Sequence, residues 1–133
     1  MKRYVSEPQS AAFDAFFVAQ APVAVSRLTM VEMRCALARR RRAGQIDAGL
    51  ERRALEEIRT DIQDGAIALF PVADGAVAEA FHLLDRVGDT ALRTLDALHL
   101  SLARALNASG FSTADGNQAQ AAQVLGFRIF TFF

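Results

Sequence analysis

Three carboxylates of this chain stand where a predicted helix begins, and two of them follow predicted strands. Glu32 comes after the β-favouring run Pro22–Ser26, Asp115 comes after the short run Phe111–Thr113, and Asp96 opens a leucine-rich helix. In open α/β sheets, ligands bind beyond the carboxyl ends of the strands. The sequence therefore predicts that the three acids approach one another in space, although they lie far apart along the chain.

A group of carboxylates is suited to a hard divalent cation. Mg²⁺ and Mn²⁺ prefer oxygen ligands in octahedral geometry and keep several waters, so a few acidic side chains suffice to hold the ion. Such an ion can bind a phosphodiester oxygen and lower the pKa of a water that attacks phosphorus. Helix N-termini beside the ion favour a phosphate because their dipoles present positive charge. The acids therefore indicate metal-assisted chemistry on a phosphate ester.

Each acid also has a structural interpretation that needs no ligand. Asp96 can compensate the dipole of its helix, Thr29 and Glu32 match the T-x-x-E capping box, and Asp115 can be a plain N-cap. These roles involve only the helix that carries each acid, so they give no reason for the three acids to converge. From the residues alone, both interpretations stay open.

Other familiar chemistries lack their residues in this sequence. There is no G-x-x-x-x-G-K-[ST] phosphate loop, no G-x-G-x-x-G dinucleotide turn and no G-x-S-x-G nucleophile elbow. The single cysteine, Cys35, and the two histidines, His82 and His99, stand on different predicted elements, which argues against a zinc site. The net charge is zero, so no global field attracts nucleic acid, although six arginines lie between Arg27 and Arg42.

Length and composition predict a single globular domain over residues 1–133. Hydrophobic residues make up 52% of the chain and charged residues 23%, as in ordinary folded proteins. No apolar run reaches the length of a membrane span, and the first residues lack the apolar stretch of a signal peptide. The lone cysteine gives no sign of an oxidising compartment. We therefore expect a cytoplasmic protein with no membrane partner.

Helical and β-favouring segments alternate along the chain. Ser6 and Pro8 are predicted to start the first helix, Thr29 to start a helix that ends near Arg42, and Gly126 to end the last helix. The run AGLERRALEEIRTDIQ is predicted to form a further amphipathic helix. The predicted strands contain the runs VAVS, AIALFPV, FST and FRIFTFF. The alternation predicts an α/β fold with a mainly parallel sheet.

Three segments resemble, in order and spacing, the later signature segments of PIN-domain ribonucleases, and especially of VapC-like toxins from bacterial toxin–antitoxin pairs. They read TMVEMRCALARR, LRTLDALHLSLA and FSTADGNQAQAAQVLGF. The most specific part is D-A-L-H-L-x-x-A followed by S/T-x-D. The resemblance covers nearly the whole chain and implies a PIN-like three-layer α/β/α fold with a short, mainly parallel sheet.

The resemblance also implies an activity, a site and partners. The chain would be a toxin that cleaves RNA as a metal-dependent endoribonuclease, with Mg²⁺ or Mn²⁺ as cofactor. Its partners would be a cognate antitoxin, the RNA substrate and a second copy of the chain in a homodimer. The residues expected at the metal and in catalysis are Glu32, Asp96 and Asp115, with Asn117 in an assisting position. The residues expected to contact the substrate are Arg93 and Thr113.

The chain departs from the family pattern at its start. The family opens with a central strand that carries a metal-binding aspartate, whereas MKRYVSEPQS matches only the part that follows it. We therefore expect an N-terminally truncated PIN-like domain that lacks this strand, because of a misplaced start codon or because the chain is a relic. Two further functions stay open: a PIN-like module that binds antitoxin or RNA without cleavage, and a small-molecule-binding α/β domain in which the acids are only caps.

Overall fold

The computed structural model describes residues 1–133, and its internal contacts divide the chain into two compact units. The first unit spans Met1–Pro71 and the second spans Val72–Phe133. Each unit combines helices with one pair of parallel strands. The predicted α/β class and the parallel direction of the strands are confirmed.

The first unit contains three helices and two strands. They are α1 (Ser10–Gln20), β1 (Val23–Ser26), α2 (Arg27–Arg42), α3 (Ala48–Gln63) and β2 (Ile67–Phe70). The strands pair in parallel, with Val23 opposite Ile67 and Ser26 opposite Phe70. Because parallel neighbours need a crossover connection, the chain passes through α2 and α3 between them.

The core of the first unit lies under the amphipathic helices α2 and α3. Leu37 and Ile58 are fully buried and pack with Ala54 and Ile46. Helix α3 begins where the sequence predicts because Asp47 caps it, accepting a hydrogen bond from the Leu50 amide at 2.7 Å.

The second unit also contains three helices and two strands. They are α4 (Asp74–Val87), α5 (Thr94–Ala105), β3 (Gly110–Thr113), α6 (Gly116–Val124) and β4 (Arg128–Thr131). Strands β3 and β4 are parallel, with Gly110 opposite Arg128 and Thr113 opposite Thr131. Helix α6 connects them, so its N-terminus follows the carboxyl end of β3.

The core of the second unit is built from large side chains on α4 and α5 and small ones on α6. Leu83 and Leu100 are fully buried, and so are Ala121 and Ala122, whose short side chains let α6 approach closely. The buried Ser101 hydroxyl donates to the Ala76 carbonyl at 2.7 Å and joins α5 to α4. These contacts pack α4, α5 and α6 together in one core.

Two predicted helix starts are wrong. Helix α1 begins at Ser10 rather than beside Ser6 and Pro8, after a run of turns. Helix α2 begins at Arg27 rather than near Thr29, because the Ser26 hydroxyl caps it by accepting from the Thr29 amide at 3.2 Å. Thr29 therefore lies inside the first turn of α2 and cannot be the N-cap of a capping box with Glu32.

The strands form two separate two-stranded sheets rather than one short sheet. No other strand of the chain pairs with β1, β2, β3 or β4, so each has one edge without a strand neighbour. None of the six helices has the length and apolar character needed to cross a membrane.

Candidate functional site

Asp96 lies in the first turn of α5, as predicted, and is half-buried. Its Oδ2 accepts a hydrogen bond from the backbone N–H of Arg93, the N-cap residue, at 3.2 Å. This bond satisfies one donor at the helix start, where the dipole also favours a negative charge. The structural role predicted for Asp96 is therefore real, but it uses only one carboxylate oxygen.

Asp115 is the N-cap of α6, two residues beyond the end of β3. Its Oδ1 accepts a hydrogen bond from the Gln118 amide at 2.9 Å. The capping role predicted for this acid is confirmed, and it again occupies one oxygen. The second oxygen, Oδ2, lies outside the hydrogen bonds of the helix.

Arg93 connects the two acids. Its backbone donates to Asp96, while its Nη2 lies 3.9 Å from Asp115 Oδ2. Arg93 thus contacts both Asp96 and Asp115, which we call the acid pair. The Arg93 side chain is 83% exposed, and such surface ion pairs contribute only about 0–1 kcal/mol. A cation can therefore replace this guanidinium beside Asp115 at little cost, and a phosphate can replace Asp115 beside the guanidinium.

Two buried polar residues, Thr113 and Gln118, hold Asp115 in place. The Asp115 amide donates to Thr113 Oγ1 at 3.0 Å, and Thr113 Oγ1 donates to Gln118 Oε1 at 2.6 Å. Thr113 and Gln118 are each only 8% exposed. In this structure the Thr113 hydroxyl is committed to these internal bonds, and its expected contact with substrate stays a prediction.

The remaining predicted residues lie in different places. Asn117 is exposed in the first turn of α6, two positions after Asp115. Glu32 lies in the first unit, in the second turn of α2 rather than the first, because α2 begins at Arg27. No group of three or more aspartate, glutamate, histidine or cysteine side chains is arranged to hold a metal ion. Two of the three predicted acids therefore share Arg93 as a neighbour, and the roles of all three at a metal ion stay predictions.

The arginine run of α2 does not form one free cationic face. Arg34 and Arg41 pair with the buried Glu51, and Arg40 pairs with Glu7. Hydrogen bonding from Arg34 is the main cause that lowers the pKa of Glu51. Half of the six arginines are thus used within the first unit.

Asp96 and Asp115 are both partly exposed. Two surface grooves lie elsewhere: one of about 400 Å³ in the first unit, beside Arg3 and Asp61, and one of about 570 Å³ between α6 and β4. Neither is lined by Asp96 or Asp115.

Sequence analysis missed one residue of this site, Gln118. The signal was present, because Asp115-Gly-Asn-Gln118 matches a capping box with an acidic N-cap and glutamine at its fourth position. What the pattern could not show is that Gln118 turns toward Thr113 instead of the N-cap amide.

Comparison with known proteins gives one match. A family model described as PIN domain matches residues 4–124, a range that includes Glu32, Asp96, Asp115 and Asn117. No curated protein and no solved structure matches the chain.

Proposed function

The chain belongs to the PIN domain family, and we propose that it is a Mg²⁺- or Mn²⁺-dependent endoribonuclease. Its helices and short parallel strands agree with the α/β/α fold of that family. PIN domains are typically nucleases and generally use divalent metal ions. The nuclease class follows from the family, whereas the metal, the RNA substrate and the residues that act on it are parts of the proposal.

The observation that carries the proposal is the acid pair. Asp96 and Asp115 come from different helices, and each gives one oxygen to its own helix start. A purely structural acid needs no neighbour, yet Arg93 reaches from the first acid to the second. Carboxylates that converge on one ion repel each other without it, and the bound cation offsets this cost.

The donor set fits a hard divalent cation. Asp96 Oδ1, Asp115 Oδ2 and the side-chain oxygen of Asn117 are the candidate ligands of this unit, and all are oxygens. When bound, such an ion supplies Lewis acidity toward a phosphodiester and toward the water that attacks it. Glu32 remains the third acid that the sequence predicts for the same ion.

The chain's own residues supply binding and orientation. Arg93, with its exposed guanidinium, is placed to bind a phosphate oxygen of the RNA backbone. The N-termini of α5 and α6 lie at the two acids and favour negative charge there. Asp96 and Asp115 would hold the ion and orient the attacking water.

We further propose the biological setting that the resemblance to VapC-like toxins implies. The chain acts as the toxin of a toxin–antitoxin pair, cleaves cellular RNA in the cytoplasm, is held inactive by a cognate antitoxin and assembles as a homodimer. The similarity of the three signature segments supports this setting.

The test is cleavage of a fluorescently labelled single-stranded RNA by the purified chain, with Mn²⁺, Mg²⁺ or EDTA. We expect cleavage with either ion and none with EDTA. Asp96→Asn and Asp115→Asn should each abolish it, because the amide keeps the cap but removes the charge. Asp85→Asn, on the exposed side of α4, is the matched control and should cleave like the parent. Metal-independent cleavage, or full activity of both site variants, would contradict the proposal.

A second candidate is a PIN-like module that binds RNA or antitoxin without cleavage. One observation favours it: no group of three acids is arranged to hold a metal ion. In a gel-shift experiment this alternative predicts a stable RNA complex whose RNA stays intact with Mn²⁺ present. The nuclease predicts such a complex only with EDTA or with Asp96→Asn.

A further inference from the structure

We propose that Gln118 is a positioning residue that sets the orientation of Asp115 through the hydroxyl of Thr113. The inference rests on the proposed function for its purpose, but its geometry is independent of any ligand. Gln118 contacts Asp115 twice, directly by its backbone and indirectly by its side chain. We call the side-chain route from Gln118 through Thr113 to Asp115 the hydroxyl relay.

The hydroxyl relay has a fixed direction. A threonine hydroxyl has one proton, and the Gln118 carbonyl oxygen can only accept it. The Asp115 amide can only donate, so it takes a lone pair of the same hydroxyl oxygen. No buried side-chain nitrogen or oxygen of the chain is left without a hydrogen-bond partner, which agrees with this assignment.

The relay differs from an ordinary capping box. There, the side chain at the fourth position reaches back to the N-cap amide itself. Here the hydroxyl of Thr113, the last residue of β3, stands between the two groups. The relay therefore fixes three things together: the end of the strand, the backbone of Asp115 and the start of α6.

The consequence concerns the free oxygen of Asp115. The relay fixes its backbone amide, and the Gln118 amide fixes Oδ1, so Oδ2 is presented in one direction, toward Arg93. A ligand oxygen held in this way needs no reordering when a cation binds. Loss of a group that orients a metal ligand typically weakens metal affinity by about 10–100-fold.

Burial argues that the relay serves more than the helix cap. The direct bond between the Gln118 backbone amide and Asp115 already caps α6 and would form with any residue except proline at position 118. An apolar side chain there would satisfy the core without a polar group. The buried side-chain amide of Gln118 adds only the hydrogen bond to Thr113, which in turn holds the Asp115 backbone.

The experiment compares two pairs of variants in the full chain. Thr113→Val and Gln118→Met remove the relay at similar volume, whereas Thr113→Ser and Gln118→Glu keep a donor hydroxyl or an acceptor oxygen. The readouts are hydrogen exchange of the Asp115 amide in metal-free protein, and the Kd of Mn²⁺ from the EPR signal of the free ion.

We expect faster exchange of the Asp115 amide in Thr113→Val and in Gln118→Met, although the second variant keeps the hydroxyl that this amide contacts. Both should weaken Mn²⁺ binding by about tenfold. The double variant should be no weaker than either single one, because all of them break one relay. Thr113→Ser and Gln118→Glu should retain the protection of the Asp115 amide.

Unchanged hydrogen exchange of the Asp115 amide in Gln118→Met would overturn the inference. It would also be overturned if the losses of Mn²⁺ affinity in the two single variants multiplied in the double variant. If the parent itself binds no Mn²⁺, the proposed function fails, while amide exchange still decides whether Gln118 positions Asp115. If Gln118→Met does not fold, the comparison of Thr113→Val with Thr113→Ser tests whether the hydroxyl holds Asp115. Gln118→Asn, whose shorter side chain withdraws the acceptor oxygen, then tests whether the side chain at position 118 does.

Discussion

Replacing Asp115 by Asn and, separately, by Ala distinguishes its two roles. Asn retains an oxygen that accepts from the Gln118 amide, now 2.9 Å from Oδ1, and it is as good an N-cap as Asp. Ala loses that hydrogen bond. Both substitutions remove the charge, but only Ala also removes the cap. Metal affinity should therefore fall in both variants, whereas stability should fall only in the Ala variant.

The size of each effect follows from the contacts. Loss of an N-cap costs about 1 kcal/mol, which lowers the melting temperature of a chain of this length by about 4 °C. Asp115→Ala should show this shift, and Asp115→Asn should melt close to the parent. Both variants lose a charged ligand oxygen, so both should weaken Mn²⁺ binding by at least about tenfold.

The assay combines thermal melts in EDTA with Mn²⁺ titration followed by EPR. Asp47 offers a matched control, because it caps α3 in the same way, with the Leu50 amide 2.7 Å from its Oδ1. Asp47→Ala should lower the melting temperature without changing Mn²⁺ affinity. If Asp115→Asn binds Mn²⁺ as tightly as the parent, Asp115 is only a cap and the reasoning is refuted.

Two further predictions concern stability. Hydrogen bonding from Arg3 holds the pKa of Asp61 below its ordinary value of 3.8, so the ionised carboxylate stabilises the fold above pH 3.8, and this contribution is lost as the pH falls through the lowered pKa. Between about pH 5 and pH 2, the free energy of unfolding in urea should therefore fall less steeply for Asp61→Asn than for the parent. Parallel curves would contradict this. A Cβ at Gly110 would lie 2.8 Å from a ring carbon of Phe130, so Gly110→Ala should cost about 1–3 kcal/mol in urea unfolding. Gly116→Ala, whose Cβ would meet nothing within 4 Å, is the control, and equal midpoints for the two variants would show that the strand pair absorbs the methyl group.

Local patterns predicted the elements whose ends are set by neighbouring residues. Helix α3 has the predicted bounds because Asp47 caps it and its apolar positions recur at helical spacing. Asp115 caps α6 as predicted for the same reason. The predicted start of α2 is wrong because both Ser26 and Thr29 are suitable N-cap residues. Ser26, the last residue of β1, is the one that caps the helix.

Long-range arrangement could not be obtained in the same way. The hydroxyl relay depends on the Thr113 side chain pointing under α6, a direction set by the pairing of β3 with β4. The division of the strands into two pairs depends on which edges find hydrogen-bond partners. The approach of Glu32, Asp96 and Asp115 was expected from the rule that ligands bind beyond the carboxyl ends of strands, and it stays a prediction.

The central claim is that the acid pair holds a divalent cation, and paramagnetic broadening by Mn²⁺ tests it most directly. Substoichiometric Mn²⁺ added to ¹⁵N-labelled chain should first broaden the amide signals at the starts of α5 and α6, those of Asp96, Asp115 and Asn117. Asp96→Asn should abolish this broadening. Broadening centred instead on the acid-lined groove of the first unit, around Asp14 and Glu56, or unchanged by Asp96→Asn, would contradict the account.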